Sequence, residues 1–159
     1  MALAWIGLGS NRGDRRAHLD RALLELESSG VVVRRRSRIR ETEPMGGPPQ
    51  GPFLNAAVEV ETDLTPTALI ALLKDVEAEV GRRPGPRWGP REIDLDLLLH
   101  EDEVVRGTDV EVPHPRMAER AFVLEPLAEI APDVVHPILN RTVRELWEQL
   151  SGSGRKDGS

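Results

Sequence analysis

Between Arg87 and Asp96 the chain reads Arg-Trp-Gly-Pro-Arg-Glu-Ile-Asp-Leu-Asp, a cationic loop carrying one indole that runs straight into two carboxylates. Side chains alternate between faces along a β-strand. Asp94 and Asp96 therefore share one face, about 6.6 Å apart at Cα, while Ile93, Leu95, Leu97 and Leu99 occupy the other. Carboxylates this close repel unless a cation or a proton lies between them, and oxygen-only ligands are what Mg²⁺ selects. An Asp-x-Asp on the open side of a strand is, by itself, usually no more than solvated charge. Here it has company: Arg82, Arg83, Arg87 and Arg91 fall within ten residues that contain no acid, in a chain whose formal net charge is -6. A positive cluster beside an acidic pair is an arrangement that holds a divalent metal and a polyphosphate together, each neutralising part of the other.

Other residues extend this chemistry. Phe53 and Asn55 lie two apart at the start of a strand and share a face, offering a ring to stack on and an amide with donors and an acceptor, a pairing that suits a flat heterocycle. The bland alternative is that Phe53 is core and Asn55 closes a turn. Trp88, between two arginines and beside Gly89-Pro90, is placed to cover a bound ring or to pack locally on its prolines. In Val112-Pro113-His114-Pro115 two prolines stiffen the backbone around a histidine that can donate to phosphate oxygens, and Arg116 and Arg120 follow closely. Trp5 and Trp147 fall on an expected strand and helix and read as core. Gly7, Gly9 and Gly13 do not fit a dinucleotide-binding fingerprint, and neither Lys74 nor Lys156 follows a glycine-rich phosphate loop.

To aim these groups the chain must supply strands and helices in a definite order. Ala2 to Gly9 suits a strand ending in a Gly-Ser-Asn turn, and Asp14 to Ser29 carries apolar residues at helical spacing before Gly30. Val31 to Arg40 reads as an edge strand guarded by arginines. Glu41 to Pro52, dense in proline and glycine, is a long loop. Phe53 to Thr62 is a strand, Thr65-Pro66 starts a helix that Gly81 ends, and Ile93 to Leu99 is the fourth strand. The order βαββαβ is that of an α+β ferredoxin-like sandwich, helices on one face of an antiparallel sheet and the other face open for function. A hairpin over Val104 to Val112, a helical turn over Pro115 to Arg120 and a helix over Thr142 to Leu150 extend it. The expectation is one domain over residues 1–150 and a flexible tail over 151–159.

Composition removes several classes. The absence of cysteine excludes disulfides, thiolate catalysis and cysteine-ligated metal centres, and the four histidines lack metalloprotease spacing. No apolar run spans a bilayer, and the first residues lack the basic start of a secretory signal, so a cytoplasmic location is expected. Net acidity argues against a general nucleic-acid binder. Nothing demands more than a monomer.

Taken in order, Gly7-x-Gly-Ser-Asn11, Phe53-Leu-Asn-Ala-Ala57, Arg87-Trp-Gly-Pro-Arg-x-x-Asp-Leu-Asp96, Val112-Pro-His114 with Arg120-x-Phe122, and Pro126-Leu-x-Glu-Ile-Ala-Pro132 resemble the 6-hydroxymethyl-7,8-dihydropterin pyrophosphokinases of the folate pathway, over nearly the whole chain. The resemblance implies transfer of pyrophosphate from ATP to the pterin hydroxymethyl oxygen, with release of AMP. It implies that Asp94 and Asp96 hold two Mg²⁺ ions, that Phe53 and Phe122 sandwich the pterin, and that Asn55, Thr42, Pro44 and Met45 read its edge, with Trp88 nearby. It places Glu77, Arg83, Arg87, Trp88, Leu97, His114 and Arg120 around ATP, and Arg82 with Arg91 near the transferring phosphates. The chain departs from the family pattern at Pro115, where relatives often carry an aromatic, and at Phe53, where tyrosine is common. Its loop with Arg82-Arg83-Pro84 is also a residue shorter than in some relatives. Two competing readings are a sugar-nucleotide transferase built on Asp94 and Asp96, and a ferredoxin-like RNA-binding module using the Arg34 to Arg40 strand.

Overall fold

The computed structural model describes residues 1–43, 52–81 and 93–157, with side chains as far as Gly152. Its main sheet contains β1 (Ala2–Ser10), β2 (Val32–Arg36), β3 (Arg40–Thr42), β4 (Phe53–Thr62) and β5 (Asp94–His100), in the order β2-β4-β1-β5 with β3 also paired to β4. All these pairings are antiparallel. The helices are α1 (Arg15–Ser28), α2 (Pro66–Val80), α3 (Ala121–Ile130) and α4 (Val143–Asp157). Two small ladders, β6 (Val105–Arg106) with β7 (Glu111–Val112) and β8 (Val135–His136) with β9 (Arg141–Thr142), complete the fold with a 3-10 turn at Met117–Glu119.

Local chemistry sets the helix ends where the sequence marks them. Asp14 Oδ1 accepts the N–H of Ala17 at the start of α1, and Thr65 Oγ1 accepts that of Ala68 ahead of Pro66 in α2. Gly81 caps α2. Thr142 and Glu145 form a reciprocal capping box for α4, the Glu145 carboxylate accepting from Thr142 N at 2.8 Å and Thr142 Oγ1 from Glu145 N at 3.1 Å.

The sheet buries both faces. Ile6, Leu8, Val58, Val60, Leu95 and Leu97 point to one side, where Leu19, Leu23 and Leu26 of α1 and Leu69, Leu73 and Val76 of α2 close over them. On the other side Trp5, Ala57, Leu98 and Leu99 meet Val123, Leu124 and Leu127 of α3 and Val143 and Leu146 of α4. Trp5 is buried and Trp147 packs against this second cluster, as their pattern predicted.

Four expectations change. The second face of the sheet is not left open along its whole length, because α3 and α4 cover the end around Trp5 and Leu99. The pattern hid α3 because Pro126 sits inside it and removes the N–H that would bond the carbonyl of Phe122; burial of its apolar face maintains the helix all the same. The second strand is two strands, since Ser37 turns inward and its hydroxyl accepts the N–H of Ala57, so that β2 and β3 meet β4 one residue out of step. Leu99 moves to the face of the aspartates, because the β1–β5 register shifts at Trp5/Ile6: Trp5 opposes Leu99 while Ile6 opposes Leu97, and the intervening Leu98 reverses the alternation. Helix α4 also continues beyond Leu150, taking helical backbone into the segment expected to be a tail.

Candidate active site at the seam of two cavities

Cross-strand pairing puts Gly9 between Asn55 of β4 and Asp94 of β5, and Gly7 between Ala57 and Asp96. Directly opposed residues project to the same face. The uncovered end of the second face therefore has a floor of glycine in its central strand, a polar amide on one side and two carboxylates on the other. A Cβ on Gly9 would lie 3.2 Å from Asn55 Oδ1 and 3.6 Å from a Phe53 ring carbon, so only glycine leaves this floor clear. A glycine inside a strand often marks such a close approach. That signal was present in the sequence at Gly7 and Gly9, where it points to a pocket floor and not to a dinucleotide loop.

Above this floor lies a cavity of about 490 Å³ lined by Thr42, Glu43, Phe53, Asn55, Asp94, Asp96, Arg116, Glu119, Arg120 and Phe122. Phe53 and Phe122 are both half-buried, and Asn55 is buried. Asn55 Nδ2 donates to Thr42 Oγ1, which fixes the orientation of the amide. The Arg120 guanidinium carbon is 5.7 Å from the Phe122 ring centroid, within cation–π range.

A second cavity, about 430 Å³, lies on the other side of the same carboxylates and is lined by Lys74, Glu77, Asp94, Asp96, Leu97, Glu111 and His114. Glu77 reaches from α2 to the free edge of β5, its Oε2 accepting the N–H of Leu95 at 2.7 Å, between the two aspartates. His114 is tied back to the same strand by its N–H on the Leu98 carbonyl, at 2.9 Å. Its Nδ1 accepts from Arg116 N at 3.2 Å, which leaves Nε2 to carry the proton of the neutral ring. Burial of the ring holds its pKa below the ordinary imidazole value; Asp96 opposes that shift, while Arg120 adds to it.

The predicted site residues thus divide in two. Thr42, Phe53, Asn55, Arg120 and Phe122 gather around the first cavity, Glu77, Leu97 and His114 around the second, and Asp94 and Asp96 belong to both. Arg120, expected beside a nucleotide with His114, lines the cavity of the two phenylalanines. Pro44, Met45, Arg82, Arg83, Arg87, Trp88 and Arg91 lie outside the described residues. Glu43 belongs to the segment expected at the ring edge, whereas sequence reasoning missed Lys74, Glu111 and Glu119, which line the cavities without being singled out by residue type or spacing. Among the described residues no group of three or more histidines or acids could hold a metal. Two half-buried, oxygen-only donors on one face fit a hard divalent cation that keeps positions for phosphate and water.

Residues 5–132 match the family model described as 7,8-dihydro-6-hydroxymethylpterin-pyrophosphokinase (HPPK). The chain belongs to this family. It is 46% identical over 155 residues to the 2-amino-4-hydroxy-6-hydroxymethyldihydropteridine pyrophosphokinase of Methylorubrum extorquens, covering 97% of each chain. Its identity to the protein of that name from Aquifex aeolicus is 43%, covering 91% of this chain and 90% of that one. The fold is similar to a crystal structure of Plasmodium falciparum HPPK-DHPS, with a TM-score of 0.77 at 14% identity, covering 98% of this chain and 46% of the other.

With the HPPK family shown, the RNA-binding alternative finds no support. The arginines of its proposed strand are largely neutralised: Arg34 pairs with Glu61 at 2.6 Å, Arg40 with Glu129 at 2.8 Å, and Arg35 approaches Glu59 at 3.9 Å. No helix among the described residues of this HPPK-family chain is long and apolar enough to cross a membrane.

Proposed function

We propose that this chain transfers the terminal pyrophosphoryl group of ATP to the hydroxymethyl oxygen of 6-hydroxymethyl-7,8-dihydropterin, giving the pterin diphosphate and AMP in folate biosynthesis. The bond formed joins that oxygen to the β-phosphorus, the bond broken joins the β-phosphorus to the oxygen retained by AMP, and the hydroxyl proton leaves to solvent or to a nearby base. The observation that carries the reading is the meeting of two cavities at one carboxylate pair, in a chain of the HPPK family.

The first cavity suits the pterin. Phe53 and Phe122 offer stacking faces, Asn55 and Thr42 offer polar atoms to the ring edge, and Gly9 leaves space beneath. Glu77, Leu97 and His114 serve the nucleotide side, with His114 Nε2 as a neutral donor to phosphate oxygen. Arg120, beside Phe122, is placed to meet the diphosphate as it forms on the pterin. Asp94 and Asp96 would hold Mg²⁺, two ions in the full complex, which when bound neutralises the triphosphate and orients it for in-line attack. Arg82, Arg83, Arg87, Trp88 and Arg91, with Pro44 and Met45, keep the roles that the family resemblance gives them. No covalent nucleophile is required, because positioning and electrostatic stabilisation suffice for this chemistry.

The strand order, with α1 and α2 on one face, supports a ferredoxin-like sandwich as the frame, in a single domain over 1–150, with 151–159 as a C-terminal tail into which the end of α4 extends. The absence of a basic excess supports action on small molecules and not on nucleic acid, and a cytoplasmic monomer completes this reading. Incubation with ATP, Mg²⁺ and the reduced pterin tests the function: AMP should form only when the pterin is present and should cease on chelation. AMP formation independent of the pterin, or none at all, overturns it.

A further inference from the structure

We infer that Arg15 is a positioning residue for the first cavity, fastening both ends of the β3–β4 connection so that Thr42, Phe53 and Asn55 hold their register. The inference rests on the pterin assignment above for its kinetic consequence, and on geometry alone for its structural one. Arg15 opens α1 directly after the capping Asp14. Its NH2 group lies 2.9 Å from Glu41 Oε2 in β3, and its NH1 donates to the Pro52 carbonyl at 2.8 Å, just ahead of β4. A guanidinium presents these donors in one rigid plane, so a single side chain sets the separation of the two strand ends. A lysine, with one compact charge, cannot do both.

The clamp acts where the sheet is weakest. β3 has three residues, and its pairs are Arg40 with Asn55, Glu41 with Leu54 and Thr42 with Phe53. A ladder this short has little cohesion of its own. Any slip of β3 removes Thr42 Oγ1 from the Asn55 amide and changes the neighbour opposite Phe53, the residues offered to the ring. Arg15 does not line the cavity and acts through residues that do. The pair is partly exposed, with 28% of the Arg15 side chain and 56% of the Glu41 side chain accessible, so its contribution to global stability is small. Its loss should therefore appear in pterin recognition and not in folding.

The test compares Arg15→Met, Arg15→Lys, Glu41→Gln and the Arg15→Met/Glu41→Gln double variant with the wild type. Arg15→Met should raise KM for the pterin about fivefold to tenfold and leave KM for ATP within about twofold. Its Tm should move by no more than about 2 °C. Arg15→Lys should recover part of the loss, and the double variant should be little worse than Arg15→Met alone, because both changes cut one link. An unchanged KM for the pterin, or equal rises for both substrates with a large fall in Tm, overturns the inference. Amide hydrogen exchange at Thr42 and Asn55 gives a readout independent of turnover. Faster exchange in Arg15→Met supports the clamp even if the wild type makes no pterin-dependent AMP, in which case the functional reading alone fails. Unaltered exchange overturns the clamp.

Discussion

The two cavities flanking Asp94 and Asp96 are built on opposite principles. The first gets its shape from missing atoms: Gly7 and Gly9 clear a floor in the middle of a sheet, and two phenylalanines stand at its sides. The second is set by charge, with Lys74, Glu77, Glu111 and His114 around a more open space. A flat, nearly neutral ring is recognised by shape and stacking, whereas a flexible polyphosphate is recognised by charge and by ordered donors. The same short strand serves both, because its alternation delivers Asp94 and Asp96 to the boundary while Glu77 and His114 secure its outer edge. Variants on one side should therefore affect one substrate, and variants at the boundary should affect both.

The largest effect belongs to the boundary. Asp96→Asn keeps the volume and removes the charge, so the fold should persist while turnover falls at least about a thousandfold, the scale expected when a metal ligand or a preorganised electrostatic group is lost. AMP formation measured against Mg²⁺ concentration checks it. Activity within tenfold of wild type would mean that the shared acids are not the reacting centre.

The next pair of variants should separate the two cavities. Gly9→Val drives branched methyl groups past a Cβ position already 3.2 Å from Asn55 Oδ1, and should raise KM for the pterin about a hundredfold with KM for ATP little changed. Glu77→Ala removes the acceptor for Leu95 N–H, a charge-assisted bond whose loss costs about 1.5–3 kcal/mol, and should lower kcat/KM for ATP at least about tenfold. Steady-state kinetics with each substrate varied in turn would decide. A Gly9→Val defect shared equally by both substrates would erase the distinction between shape and charge.

Much of this division was legible in the sequence, and what was not has identifiable causes. The common face of Asp94 and Asp96, and of Phe53 and Asn55, follows from a period of two that the strands keep locally. The limits of α2 follow from Thr65, Pro66 and Gly81. The switch of Leu99 to the aspartate side was hidden, because it arises from the pairing of β5 with β1 and not from β5 itself. Helix α3 was masked by Pro126, whose local penalty is outweighed by the burial of Val123, Leu124 and Leu127 against the sheet. The placement of Arg120 beside Phe122 depends on that helix, which starts directly after the arginine. Glu119 comes to the first cavity from a segment far from Thr42 and Phe53 in the chain, and no periodicity singles it out.

The smallest effect concerns a region that touches neither cavity and so tests whether the preceding effects are local. His136 in β8 is buried, and its Nδ1 accepts from Ile138 N at 3.2 Å and Leu139 N at 3.1 Å, an arrangement available only to the neutral ring. Burial lowers its pKa from the ordinary 6.5, partly offset by a hydrogen bond with its own backbone. The unfolded chain therefore binds the proton more readily than the folded one, and stability rises with pH across the interval between the two values. The penalty is absent well above 6.5, grows as pH falls through that value, and is complete below the folded pKa. Thermal melting from pH 7.5 to 5 should show a decline that is shallower in His136→Phe, whatever the offset in absolute Tm. At pH 7.5 the same variant should keep both Michaelis constants within about twofold of wild type. A selective rise in either constant would show that the β8–β9 turn communicates with one cavity, and the independence of the two sides would have to be redrawn around it.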